Sequence, residues 1–139
     1  MGGKSPAIIF PDADLERAIP GTASAIFFNQ GQCCCAGSRL LIHESVYDKV
    51  LQGVSDIAGG IHMGAGLDPK TQMGPLVSEE QFEKVTGYID SGVSEGARVA
   101  AGGKRYGDRG YFVQPTVLTN TKPNMKVLRE EIFGPVVCA

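Results

Sequence analysis

PAIIFPDADLERAIPGTASAIFFNQGQCCCAGSRLLIH, residues 6–43, changes its apolar period twice. PAIIF, ending at Phe10, is a short apolar run behind a Gly-Gly-Lys-Ser turn and reads as a buried strand. From Asp12 the period becomes helical. Leu15, Ala18, Ile19, Ala23, Ile26 and Phe27 recur at helical spacing, Asp12 or Asp14 supplies the cap, and Gly31 supplies the stop. Pro20 lies inside this helix; it removes a backbone donor and clashes with the carbonyl four residues back, which predicts a kink or a restart. RLLIH, Arg39 to His43, returns to a strand.

The alternation continues outward. Ser45 and Asp48 resemble a capping box, after which Val46, Val50, Val54, Ile57, Ala58 and Ile61 form a helical stripe. GGIHMGAGLDPKTQMGP, residues 59–75, is loop-like. Ser78 and Gln81 suggest a second capping box, followed by Phe82, Val85, Ile89 and Val93 on one helix face that stops near Gly96. Residues 98–101 and 111–118 read as strands, the second disturbed by Pro115. A short helix is expected over 124–131, and VVCA at the end starts a strand whose unpaired edge should invite self-association. The whole predicts an α/β fold, a mostly parallel sheet flanked by helices. The chain stops inside an apolar run, which suggests a cut from something larger.

Composition narrows the function. A chain of 139 residues makes one domain that buries roughly two-thirds of its unfolded surface. Thirteen Lys and Arg against fifteen Asp and Glu, a net charge of −2, give no field for nucleic acid or an anionic membrane. No apolar run approaches the roughly 20 residues of a membrane span, and the N-terminus lacks a signal-peptide pattern. Cys33, Cys34 and Cys35 are consecutive, with Cys138 far away. Adjacent Cα atoms lie about 3.8 Å apart, too close for ordinary disulfides, and the spacing suits no zinc cage. A reducing compartment, the cytoplasm, is the expected location.

IFFNQGQCCCAGSR, residues 26–39, carries the chemistry. A helix delivers the chain into a Gly-containing turn, and the thiols follow at once. Turn N–H groups can stabilise a thiolate and the oxyanion formed after its attack. An ordinary thiol, with a pKa of about 8.5, needs such help at neutral pH. The same residues also suit small buried hydrophobes, a common role of free cysteine.

FFNQGQCCCAGSR resembles the active-site cysteine segment of the aldehyde dehydrogenase superfamily, in which Gly, then Gln or Glu, then one variable residue precede the catalytic cysteine. Gly31 and Gln32 fill the first places, Cys33 is the variable residue, and the resemblance makes Cys34 the nucleophile. GGKSP (2–6) resembles the stretch after the family's catalytic glutamate, EEIFGPV (130–136) the segment beside the nicotinamide, and RGYFVQPTV (109–117) is also family-like. The resemblance covers the whole chain in order.

It implies oxidation of a small-molecule aldehyde to an acid with NAD or NADP, through a cysteine thiohemiacetal and thioester. It places Glu131 on the nicotinamide ribose, Phe133 near the nicotinamide, and Phe28, Cys33 and Cys35 in the substrate pocket; no metal is implied. Glu131 also reads as a solvated helix-end carboxylate and Phe133 as core. Gln81 reads equally as a cofactor contact or as a local cap. His43 and His62 are expected to be structural or exposed. The family's glutamate would fall just before residue 1, with Met1 between it and Gly2. The oxyanion asparagine, most of the cofactor-binding domain and the C-terminal arm would also lie outside the chain. Residues 1–139 are thus expected to be an incomplete catalytic domain, inactive alone, from a homo-oligomeric parent. An interaction remnant and a cofactor-independent thiol or esterase module are the alternatives. Two motif-like stretches are set aside: Gly3-Lys4-Ser5 lacks the upstream glycine of a P-loop, and MGAGLDP has Pro69 where a dinucleotide fingerprint needs its third glycine.

Overall fold

A computed structural model describes residues 2–139; Met1 and its expected place beside a glutamate lie outside the described residues. Strand β1 (Pro6–Ile9) leads into helix α1 (Leu15–Phe27), a short left-handed turn over 28–31, and strand β2 (Arg39–Ile42). Helices α2 (Tyr47–Gly60) and α3 (Glu79–Ser94) follow, then β3 (Arg98–Ala101), β4 (Thr116–Thr119), the single-turn α4 (Lys126–Arg129) and β5 (Val136–Cys138). The sheet order is β1-β2-β5-β4-β3. All neighbours pair parallel except β3 with β4, so the sheet is mixed but mostly parallel, as the alternation predicts.

Each face of the sheet has its own core. Ile9, Leu40, Val117 and Val137 point to α1 and α2, where they meet Ala23, Ile26, Val50 and Val54. Leu118, Val136 and Cys138, one residue out of phase, join Val85, Ile89 and Val127 of α3 and α4. The period-2 alternation of strands sorts these side chains between the two layers. The α3–α4 layer does not extend over β1 and β2: Ile8 and its register partner Leu41 remain 57% and 51% exposed.

Some local expectations are resolved and others change. Asp14, not Asp12, caps α1, its carboxylate accepting from the Glu16 N–H at 3.1 Å. The helix runs through Pro20 without restarting. The carbonyl that Pro20 leaves without a partner belongs to exposed Glu16, where water can satisfy it. The Ser45–Asp48 box does not form: α2 has no side-chain cap, and Ser45 sits in a preceding turn where His43 Nδ1 lies 2.9 Å from its hydroxyl. Pro115 does break the 111–118 run, and β4 begins one residue later. The 124–131 helix shrinks to one turn. VVCA is not an edge. It forms β5 in the middle of the sheet, between β2 and β4, so the unpaired edge strands are β1 and β3. No helix is long and apolar enough to cross a membrane among the described residues.

Candidate active site

The turn after α1 is unusual. Asn29, Gln30 and Gly31 are all left-handed, with φ of 50°, 56° and 68°. Asn29 Nδ2 donates to the Gln32 carbonyl at 3.0 Å, which supports this tight reversal. The Gln32 side chain reaches the other way and accepts from the Val77 N–H at 3.0 Å, tying the turn to the loop before α3. Gly31 packs against the backbone of Gly134 and Pro135; a Cβ there would run into the Gly134 carbonyl. The thiols come next, in a turn closed by the Ala36 N–H on the Cys33 carbonyl at 3.1 Å.

Cys34 is exposed, and its carbonyl touches Gly3 so closely that a Cβ on Gly3 would collide with it. The Gly3 N–H donates to Glu131 Oε1 at 2.8 Å, and Gly2 lies against the same carboxylate. Three segments far apart in sequence, 2–6, 31–35 and 130–135, therefore meet around one corner of the molecule. Glu131 is half-buried and fixed by a backbone donor rather than a freely solvated helix-end charge. Phe133 is half-buried in a left-handed turn, φ 58°. Beside them Lys4 is largely buried. Burial pushes its amine down, Cys138 and then Glu131 partly offset this, Arg39 adds to it, and Nζ finds no hydrogen-bond partner among the described residues.

The other two thiols of the triplet face each other. Cys33 Sγ and Cys35 Sγ are 3.3 Å apart. The Cys35 backbone N–H draws the Cys33 thiol below its ordinary value, and the bond to Cys33 pushes the Cys35 thiol up. Cys33 also leans on the α1–α2 core. Phe28 is 73% exposed and lines a recess of about 240 Å³ with Phe27, Ile57, Ile61 and Met73. Gln81 does not complete a capping box. Its backbone N–H bonds to Ser78 Oγ at 3.2 Å, while its side-chain amide donates to the Ile132 and Phe133 carbonyls at 3.1 and 2.7 Å. Neither this reach nor the Gln32–Val77 bond shows in the local sequence. The one hint is a glutamine at a cap position facing a Phe-Gly-Pro turn.

Cys138 is the inert thiol. Burial pushes it up to about 11, and the nearby Lys4 charge offsets this only in part. Its thiolate fraction at pH 8 is roughly 100-fold below that of an ordinary thiol. In alkylation at pH 8 followed by peptide mapping, Cys138 is expected to label at least that much more slowly than an exposed thiol, catching up only as the pH approaches 11. Labelling at a rate comparable to the triplet would contradict the buried assignment.

Fold and site define a three-layer α/β unit built around an exposed cysteine turn. The sequence model of the aldehyde dehydrogenase family matches residues 1–139. The chain is 49% identical over 136 residues to an aldehyde dehydrogenase of Agaricus bisporus, covering 98% of this chain and 27% of that protein. It is also 49% identical over 138 residues to a mitochondrial aldehyde dehydrogenase of Leishmania tarentolae, covering 99% and 28%. The NAD+ complex of aldehyde dehydrogenase from Bacillus cereus superposes with a TM-score of 0.97 at 51% identity, over 99% of this chain and 28% of that one. Betaine aldehyde dehydrogenase from Staphylococcus aureus in complex with NAD+ gives 0.95 at 45%, over 99% and 28%. The chain belongs to the aldehyde dehydrogenase family. It spans 28% of the length of such relatives.

Proposed function

We propose that the chain is the thiol-bearing part of the catalytic domain of an NAD(P)-dependent aldehyde dehydrogenase, and that Cys34 is its nucleophile. The meeting of the Gly3, Cys34 and Glu131 segments carries this reading. An exposed cysteine on a braced turn, its carbonyl against Gly3 and the Gly3 N–H holding a carboxylate, is an arrangement for covalent chemistry next to a bound group.

The Cys34 thiolate forms a C–S bond to the aldehyde carbon, and the carbonyl electron pair moves to oxygen. The Cys34 backbone N–H supplies one donor to that oxyanion. NAD(P), when bound, supplies the acceptor for the hydride whose departure leaves a thioester on Cys34. Water then adds to the thioester carbon, the C–S bond breaks, and the carboxylate leaves with the thiolate restored while the two protons of the water pass to solvent. Phe28, Cys33 and Cys35 form part of the pocket wall. The residues present fit the nicotinamide half of the cofactor: Gly3 fixes one Glu131 oxygen and orients the carboxylate as an acceptor for ribose hydroxyls, with Phe133 in the turn beside it. No Gly-rich phosphate cradle opens a helix among the described residues. The family resemblance implies a water-activating base and an oxyanion asparagine outside residues 2–139, so the 139-residue chain by itself is expected to produce no NADH at an enzymatic rate.

The free thiols suit the cytoplasm. The uncovered apolar face of Ile8, Leu41 and Phe10 suits packing against further polypeptide in a homo-oligomer of a protein of the relatives' length. That face also suits an interaction remnant, which co-purification with a full-length subunit without activity would support. Turnover of an activated ester without NAD(P) would support the esterase-like alternative.

In a protein of the relatives' length, Glu131→Gln is expected to raise the KM for NAD(P) by about 10-fold, the loss of a charge-assisted hydrogen bond, with the aldehyde KM little changed. Steady-state kinetics in both substrates is the test. An unaltered cofactor KM would remove Glu131 from the site.

A further inference from the structure

We propose that Gln81 is a positioning residue: its amide clamps the 132–134 turn in the geometry that presents Glu131 and Phe133. The assignment rests on the proposed cofactor role of those two residues. The local geometry is specific. Gln81 Nε2 has two hydrogens, and the amide donates to two successive carbonyls, Phe133 O at 2.7 Å and Ile132 O at 3.1 Å. Between those carbonyls lies a phenylalanine at φ 58°, a conformation that bulky side chains rarely hold without support.

The rest of the turn is pinned from the same helix face. Val85, one helical turn beyond Gln81 on α3, packs so close to Gly134 that a Cβ there would meet its side chain. Ser78 fixes the start of α3 by accepting the Gln81 backbone N–H. Helix α3 therefore grips the turn at two adjacent points, one polar and one apolar. Gly134 in turn bears on Gly31 at the head of the cysteine turn. A shift of the 132–134 backbone would move Glu131 and the floor of the cysteine turn together. With both amide hydrogens committed, Gln81 acts on a bound group through the backbone and not by donating to it.

Three substitutions separate these roles. Gln81→Lys keeps a donor, Gln81→Met keeps length without polarity, and Gln81→Glu places an acceptor against two carbonyls. Two quantities are read. The first is hydrogen exchange of the Val136 amide, which donates to the Gly134 carbonyl at 2.8 Å, with the His43 amide on Ile9 as the control that the sheet is folded. The second is NADH affinity by fluorescence titration in the whole protein that carries these residues. Turn protection and affinity are both expected to fall in the order Lys, Met, Glu. The loss should be about threefold for Met and about 10-fold for Glu, the range of one or two hydrogen bonds.

A Glu variant that binds NADH like the parent while the Met variant loses binding would overturn the proposal, because a carboxylate replaces an amide as an acceptor for ribose hydroxyls but not as a donor to carbonyls. Equal Val136 exchange in all three variants would overturn the clamp. Graded Val136 exchange with unchanged NADH affinity would overturn the cofactor role of Glu131 and Phe133 and leave the clamp standing.

Discussion

Cys34→Ala is expected to abolish aldehyde oxidation in a protein of the relatives' length, a loss on the order of 10⁶-fold in kcat, as for removal of a nucleophile that works within a catalytic unit. Two lines of reasoning compete within the triplet. Acidity favours Cys33, whose thiol is drawn down by the Cys35 N–H. Access and motif spacing favour Cys34. Cys33 is half-buried, leans on the α1–α2 core and is engaged by Cys35 Sγ at 3.3 Å. Cys34 is exposed at the point where Gly3 and the Glu131 loop come together. An acidic thiol that cannot reach the aldehyde carbon contributes nothing, because attack requires approach to about 3–3.5 Å with the orbitals aligned. Cys33→Ala and Cys35→Ala are therefore expected to stay within about 10-fold of the parent, an effect of pocket shape worth one or two methylenes. The measurement is NADH production with a panel of short and aromatic aldehydes, together with limited alkylation and peptide mapping. A dead Cys33→Ala variant beside an active Cys34→Ala variant would move the nucleophile to Cys33.

What the sequence reveals and what it hides divide along physical lines. The strands PAII and RLLI follow from short apolar runs bounded by turn residues, and α1 and α3 follow from apolar period and caps. These are local signals. The position of β5 is not local. VVC is the last strand in sequence but sits between β2 and β4, because the order of strands in a sheet depends on crossover connections rather than on chain order. The Ser45–Asp48 pattern matches a capping box, yet His43 takes the serine first. Pro20 predicts a kink or a restart, but the helix continues and the lost bond falls on a carbonyl that water can reach. In the candidate site, motif resemblance names Cys34, Glu131 and Phe133 without saying that they meet. Their meeting depends on three glycines, Gly3, Gly31 and Gly134, each of which lets another segment approach where a Cβ would not fit.

Gly31→Ala should be strongly damaging, destabilising the chain by about 2–5 kcal/mol. Two costs combine. At φ 68° an alanine carries a left-handed penalty of about 1–2 kcal/mol that glycine escapes. Its Cβ also enters the space of the Gly134 carbonyl and comes within 3.0 Å of Pro135 N. That obstacle is backbone rather than the far end of a side chain, so relief requires moving one segment off the other, and overpacking of this kind costs roughly 1–3 kcal/mol. The turn has little room to absorb the shift, since Asn29 and Gln30 are already left-handed and Gln32 is tied to Val77. Gly59→Ala is the matched control. Gly59 lies in α2, exposed, with nothing within 4 Å of a built Cβ, so alanine should stabilise there by about 0.5–1 kcal/mol. Urea unfolding of the two variants beside the parent reads both effects, and Cys34 alkylation under native conditions reads whether the cysteine turn has moved. If Gly31→Ala unfolds within about 1 kcal/mol of the parent and leaves Cys34 labelling unchanged, the Gly31–Gly134 contact does not hold the two segments together, and the brace proposed for the nucleophile fails with it.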